Sequence, residues 1–230
     1  MSVAPDGRHL LAVAHGSGND VAALRDALAA GVDLVEADVR QYRRTLEVRH
    51  TKTLGPHLLW DRWVLLRRRD VVLPDLAAVL DAADGDHRLM LDLKGAHREL
   101  APAVAGLLRA VAPGTPVSVC ARNWWMLAAF ADNPAVRLNL SAGSRRGLRR
   151  LRALVRAAEP PWPGCRPPVG VCVRRALLTP LVVAELRNTV DHVLTWPVDT
   201  QAELADARSL GVTGVISRSL PLLREVLADC

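Results

Sequence analysis

This 230-residue chain has little lysine, few aromatics and no long apolar run. Its formal charge is +6, yet Lys52 and Lys94 are its only lysines, so the basic excess is arginine. In such a chain a lysine inside an apolar segment looks chosen for its compact charge. One Tyr and one Phe beside six Trp leave few stacking platforms for nucleic-acid bases. The densest arginine cluster, SRRGLRRLRALVR (144–156), has helical spacing, with Leu148, Leu151, Leu154 and Val155 as its apolar stripe. A solvated basic helix face is therefore expected, and no nucleic-acid partner. No apolar stretch approaches the roughly 20 residues of a membrane span. MSVAPDGRHL lacks the charged-then-apolar order of a secretory leader, so a cytoplasmic location is expected. Cys120, Cys165, Cys172 and Cys230 form no CxxC pair and read as reduced packing residues.

Short apolar runs alternate with longer helical patterns along the whole chain. The strands are expected at His9–Ala14, Asp33–Asp38, Arg88–Lys94, Val117–Cys120, Val136–Leu140, Val169–Val173, Asp191–Trp196 and Gly214–Ser217. Helices are expected at Asp20–Ala30, Pro74–Ala83, Arg98–Val111, Asn123–Ala131, Arg145–Ala158, Pro180–Asn188, Thr200–Leu210 and Pro221–Ala228. The Pro-rich EPPWPGCRPP (159–168) reads as a loop within this alternation, so residues 1–230 are taken as one domain. Eight strand–helix units at this length favour an α/β fold of the (β/α)₈ TIM-barrel type. The absence of Gly-x-Gly-x-x-Gly after the first strand counts against an open dinucleotide-binding sheet.

One segment breaks the alternation. VRQYRRTLEVRHTKTLGP follows Asp38 and is too short for a helix before the strand-like Leu46–His50. A β-hairpin arm after strand two, turning near Arg43–Arg44, would return His50 to the neighbourhood of Glu36 and Asp38.

In LVEADV (34–39), Glu36 and Asp38 share one strand face while Val35, Ala37 and Val39 take the other. Two buried like charges repel and lose hydration, so they require compensation. LMLDLKG (89–95) places Asp92 and Lys94 together in the same way. Functional groups of such barrels gather at the C-terminal strand ends. That rim collects His15, Glu36, Asp38, His50, Asp92, Lys94 and Trp196. Singly, the carboxylates could cap strand ends or pair with arginine, Asp92 and Lys94 could form an internal ion pair, and His15 could be a turn residue. Together, three carboxylates suit a hard divalent cation, Mg²⁺ or Ca²⁺. Two histidines can divide acid and base duties, and Lys94 can neutralise a phosphoryl oxygen. The set suits attack on a phosphodiester. His9, His57, His87, His97 and His192 are read as structural.

AHGSGND (14–20), GVDLVEADV (31–39), VRHT (48–51), LDLKG (91–95), LTWPVD (194–199) and GVTGVIS (211–217) together resemble the glycerophosphodiester phosphodiesterases, within the wider phosphatidylinositol-phospholipase-like barrels. The resemblance spans the chain. It implies Glu36, Asp38 and Asp92 as metal ligands, His15 and His50 as acid and base, Lys94 on the phosphate and Trp196 along the pocket. It further implies metal-dependent hydrolysis of a small-molecule glycerophosphodiester to glycerol 3-phosphate and an alcohol, opened by attack of a free glycerol hydroxyl on phosphorus.

The pattern also departs from the family's. Gly16 stands for its arginine, Ser17-Gly18-Asn19-Asp20 for Pro-Glu-Asn-Thr, Thr51 for the aspartate after the second histidine, and Ser217-Arg218 for Thr-Asp. These losses leave two alternatives open. One is a catalytically impaired relative that binds phosphate esters or metal. The other is a sphingomyelinase D-like lipid phosphodiesterase, a group whose barrel also lacks that arginine.

Overall fold

The computed structural model describes residues 9–61, 63–157 and 166–228. Cys165, Cys230 and most of the Pro-rich loop lie outside them. Among the described residues twelve strands occur in chain order: β1 (Leu11–Ala14), β2 (Leu34–Tyr42), β3 (Thr45–Val48), β4 (Lys52–Leu54), β5 (Leu58–Asp61), β6 (Val64–Arg67), β7 (Leu89–Leu93), β8 (Val117–Ala121), β9 (Val136–Ala142), β10 (Gly170–Arg174), β11 (His192–Trp196) and β12 (Gly214–Ser217). The α-helices are α1 (Val21–Ala29), α2 (Leu76–Ala83), α3 (Leu100–Val111), α4 (Arg145–Ala157), α5 (Pro180–Arg187), α6 (Gln201–Leu210) and α7 (Leu220–Ala228).

Eight parallel strands run in the order β1-β12-β11-β10-β9-β8-β7-β2, and β1 pairs with β2 to close the barrel. The expected (β/α)₈ fold is what forms, because each strand's outward residues bury against helices. Val35, Ala37 and Val39 of β2 join Leu89, Leu91, Val117 and Val119 in the outer core with Leu24, Val79, Val104 and Leu223. A smaller cluster of Val13, Met90, Cys120, Cys172, Leu194 and Ile216 fills the barrel interior, so two of the cysteines are buried packing thiols.

Capping residues set the helix starts. Asp20, Asp75, Thr179 and Thr200 each accept a hydrogen bond from a first-turn backbone N–H. Pro180 occupies the first turn of α5, where its missing N–H costs nothing. Along α4, Leu148 and Leu151 are buried and Leu154 and Val155 half-buried, as the stripe required. Trp124–Phe130 differs from expectation in forming a 3₁₀ helix. Asn123 supplies no side-chain cap there, and the short segment is held by burial of Trp124, Met126, Leu127 and Phe130. Among the described residues no helix is long and apolar enough to cross a membrane.

The hairpin arm is present. β2 runs past the rim to Tyr42, Arg43 takes a positive φ of 55° in the turn, and β3 returns antiparallel with Val39 opposite Val48. Beyond it lies an element not expected from the sequence, the three-stranded antiparallel sheet β4-β5-β6. It is tied to the arm by side chains. Glu47 is buried and pairs with both Arg49 and Arg68, Arg49 Nη2 donates to Thr53 Oγ1 at 2.6 Å, and Tyr42 donates to the Pro56 carbonyl at 3.0 Å.

Candidate active site

Every strand-end residue expected at the rim lies at the C-terminal mouth of the barrel. Register places Glu36 opposite Met90 and Asp38 opposite Asp92 on the paired strands β2 and β7, and the pleat turns these four inward. A cavity of about 300 Å³ opens above them, lined by His15, Glu36, His50, Asp92, Lys94 and Trp196 among others. Asp38, almost fully buried, lines a neighbouring cavity of about 460 Å³ that shares His15 and His50 with the first.

Glu36, Asp38 and Asp92 each present an oxygen such that all three lie within 4.8 Å of one another. The Lys94 ammonium lies among them. It pairs with Asp92, stands 2.7 Å from Asp38 Oδ1 and 3.7 Å from Glu36 Oε1. One ammonium against three carboxylates leaves an uncompensated negative charge. Burial pushes the Glu36 carboxyl well above the usual carboxylate range and raises that of Asp92. Asp38 is also opposed by burial, but Lys94 and the Asn19 amide hold its carboxyl down at about 2. The same carboxylates keep Lys94 protonated, raising its pKa against the cost of burial. Apart from the Lys94 charge nearby, buried Glu36 Oε1, Asp38 Oδ1 and Asp92 Oδ1 have no hydrogen-bond partner. Three converging buried carboxyl oxygens so poorly satisfied fit a hard divalent cation, whose charge would favour their ionised form.

Asn19 anchors the trio. Its Nδ2 donates to Asp38 Oδ2 and its Oδ1 accepts from the Asp38 backbone N–H, both at 2.7 Å. The turn that carries it depends on two glycines. Gly16 takes φ +70°, a region that favours glycine, and its N–H donates to Glu36 Oε2 at 2.7 Å. A Cβ on Gly18 would stand 2.6 Å from the Ala37 Cβ, so the turn lies against β2 only because no side chain is there.

His15 follows β1, with Nε2 4.0 Å from Glu36 Oε2. Burial lowers its pKa to about 4, so the imidazole is neutral near pH 7 and able to accept a proton. His50 follows β3, lines the same cavity as His15 and is about half exposed. Its Nδ1 lies 3.0 Å from Asp61 Oδ1, on β5 of the extra sheet. A carboxylate only accepts, so Nδ1 carries the proton and Nε2 is left for chemistry.

Several residues here were not identified from the sequence. Asp61 and Asn19 are two. Arg122, Arg174 and Arg218 are three more, standing at or just after the ends of β8, β10 and β12 and lining the cavity. Arg122 lies over the Trp196 ring, 5.1 Å from its centroid. Asp199 fixes the last of these turns, accepting from the Arg218 backbone N–H at 2.7 Å. Position after a strand end is the signal that could have found the arginines, although the chain's abundance of arginine obscures it.

No protein-family model matches this chain, and no curated protein matches it. Solved structures do. A glycerophosphodiester phosphodiesterase from Parabacteroides distasonis is 16% identical, with a TM-score of 0.72 over 97% of this chain and 99% of that one. One from Thermotoga maritima is 16% identical, with a TM-score of 0.70 over 95% and 99%. An Oleispira antarctica phosphodiesterase, solved in complex with the product sn-glycerol-3-phosphate, is 16% identical with a TM-score of 0.69 over 96% and 97%. At such identities the likeness is one of architecture, and it covers nearly the whole of each chain. The resemblance read in the motifs and the likeness of the coordinates thus lead to one group: this chain has the fold of the glycerophosphodiester phosphodiesterases.

Proposed function

We propose that this chain is a divalent-cation-dependent phosphoric diester hydrolase acting on glycerophosphodiesters, releasing glycerol 3-phosphate and an alcohol. The observation that carries the reading is the convergence of Glu36, Asp38 and Asp92 beneath a cavity walled by His15 and His50. Those carboxylates would hold Mg²⁺ or Ca²⁺. When bound, the cation supplies Lewis-acid polarisation of a phosphoryl oxygen.

The remaining work belongs to the side chains. Arg122, Arg174 and Arg218 place cationic groups around the cavity and take over the phosphate grip that Gly16 cannot provide. Lys94 lines the cavity with its ammonium among the carboxylates, where it would neutralise an oxygen of a bound phosphoryl group. Trp196 lines the pocket with its ring held under Arg122. His15, neutral, takes the proton from the attacking glycerol hydroxyl. His50, held by Asp61, gives a proton to the alcohol as its P–O bond breaks. Water then opens the cyclic diester with the two roles reversed.

Turnover of glycerophosphocholine by the purified protein, abolished by EDTA and reduced at least about a hundredfold in His15→Ala, is the expected result. Unchanged activity in His15→Ala would end this assignment. A second reading, a phosphate-ester binder without turnover, is favoured by the ion pairs of Lys94 with all three carboxylates, which partly neutralise the trio unaided. Binding of glycerol 3-phosphate without hydrolysis of any diester would establish it instead.

A further inference from the structure

The β4-β5-β6 sheet has one partly covered face and one open one. Register puts Thr53, Leu59, Asp61, Leu66 and Val64 on one side; Leu59 is fully buried there and Asp61 reaches His50, while Val64 beside the turn is 55% exposed. The other side carries Lys52, Leu54, Leu58, Trp60, Leu65 and Arg67. The open face of a solvated antiparallel sheet is normally polar. Here Leu54, Trp60 and Leu65 are 54%, 43% and 55% exposed, and Trp63 in the β5–β6 turn is 95% exposed. The charged groups on that face, Lys52 and Arg67, are both cationic. Among the described strand residues no carboxylate shares it. The Lys52 ammonium stands over the Trp60 ring, 5.2 Å from the centroid.

Exposed indoles and leucines beside Lys52 and Arg67, with no carboxylate on the same face of the described strands, match the chemistry of an anionic lipid surface. Indole rings settle at the headgroup level, leucine side chains enter the acyl boundary, and lysine and arginine meet anionic headgroups. The placement adds to this. Trp60 and Lys52 line an outer cavity of about 860 Å³ that shares His50, Lys94 and Arg122 with the catalytic one. A surface seated on this face therefore meets the path to the catalytic groups.

We propose that the open face of β4-β5-β6 docks the protein onto anionic membranes and delivers lipid-borne phosphodiesters to the barrel mouth. The delivery half rests on the hydrolase reading above; the docking half does not.

The test uses the full chain with sedimented vesicles of phosphatidylcholine alone or with about 30 mol % phosphatidylglycerol. Binding about tenfold stronger to the anionic vesicles, weakening with added salt, is expected. Leu54→Ser/Trp63→Ser/Leu65→Ser should lose that preference and slow hydrolysis of lysophosphatidylcholine held in the vesicles. Its turnover of soluble glycerophosphocholine should match wild type. Trp63→Ser alone, at a position with almost no contacts to lose, should weaken vesicle binding without changing the melting temperature. Wild-type protein that stays in the supernatant, or a triple variant that sediments as well as wild type, overturns the proposal. So does a wild-type dimer that the triple variant dissociates while neither binds vesicles, since the face then covers a second copy. Vesicle binding without turnover of any diester upholds docking and removes only the hydrolase reading.

Discussion

Asp61 Oδ1 lies 3.0 Å from His50 Nδ1, joining a sheet inserted after the hairpin arm to an imidazole that lines the cavity at the barrel mouth. Asp61 thereby gives His50 a carboxylate partner although position 51, next to it in the chain, is Thr51. Asp61→Asn keeps the size of the side chain but can donate as well as accept, so the tautomer is no longer fixed. We expect kcat to fall about 10- to 100-fold with KM nearly unchanged, and Asp61→Glu to recover part of it. Equal losses in both constants, or none, would assign Asp61 a merely structural part.

Asn19 satisfies the Asp38 carboxylate and its backbone N–H at once. Asn19→Ala leaves a buried donor without an acceptor, at a cost of about 1–3 kcal/mol in stability. It also frees the Asp38 carboxylate to turn, so cation affinity measured by calorimetry should fall roughly 10- to 100-fold. Undiminished affinity in a folded Asn19→Ala protein would show that Asp38 needs no such support.

Gly18 lets the turn after β1 lie against β2. With only 2.6 Å between a new Cβ and that of Ala37, Gly18→Ala must push the turn outward, carrying Asn19 with it. Destabilisation of about 1–3 kcal/mol by urea unfolding is expected, together with loss of diesterase activity. Gly55→Ala, where a Cβ meets nothing within 4 Å but φ is +64°, is the control for backbone strain alone.

Away from the site, Glu185 of α5 pairs with Arg152 and Arg156 of α4, at 2.8 Å in each case. The Arg152 guanidinium, opposed by some burial and aided by Arg156, holds the Glu185 carboxyl below its ordinary value. A carboxylate whose folded pKa is lowered stabilises the protein above its unfolded pKa, and that stability disappears as pH falls through the folded value. Glu185→Gln should therefore lower the melting temperature at pH 7, and the difference should shrink as the pH falls below the ordinary carboxylate range. The difference at pH 7 should be about 1 kcal/mol or less, shrinking with added salt.

All eight barrel strands were legible in the sequence, because strand and helix periods alternate on either side of the one interrupting segment and each strand keeps its apolar outward face. Glu36, Asp38, Asp92 and Lys94 were legible because a charge inside an apolar strand is costly unless a partner or an ion compensates it. The β4-β5-β6 sheet was not. Its open face carries Leu54, Trp60 and Leu65, so the polar–apolar alternation that marks a solvated strand is missing. Asp61 was hidden for a related reason, since its meeting with His50 depends on the register of that sheet. Arg122, Arg174 and Arg218 were hidden by composition: in a chain this rich in arginine, one more at a strand end carries no visible signal. The role of Lys94 was read only in part. The sequence put it beside Asp92, and the structure sets its ammonium among all three carboxylates.

Whether Glu36, Asp38 and Asp92 share one cation decides the rest, and calorimetric titration of Mg²⁺ and Ca²⁺ into the purified protein answers it. Saturable binding of one ion per chain is predicted, with Asp92→Asn abolishing it while the melting temperature of the ion-free protein holds or rises as one buried charge is removed. Failure of both ions to bind the wild-type protein, or equal binding by Asp92→Asn, would contradict it.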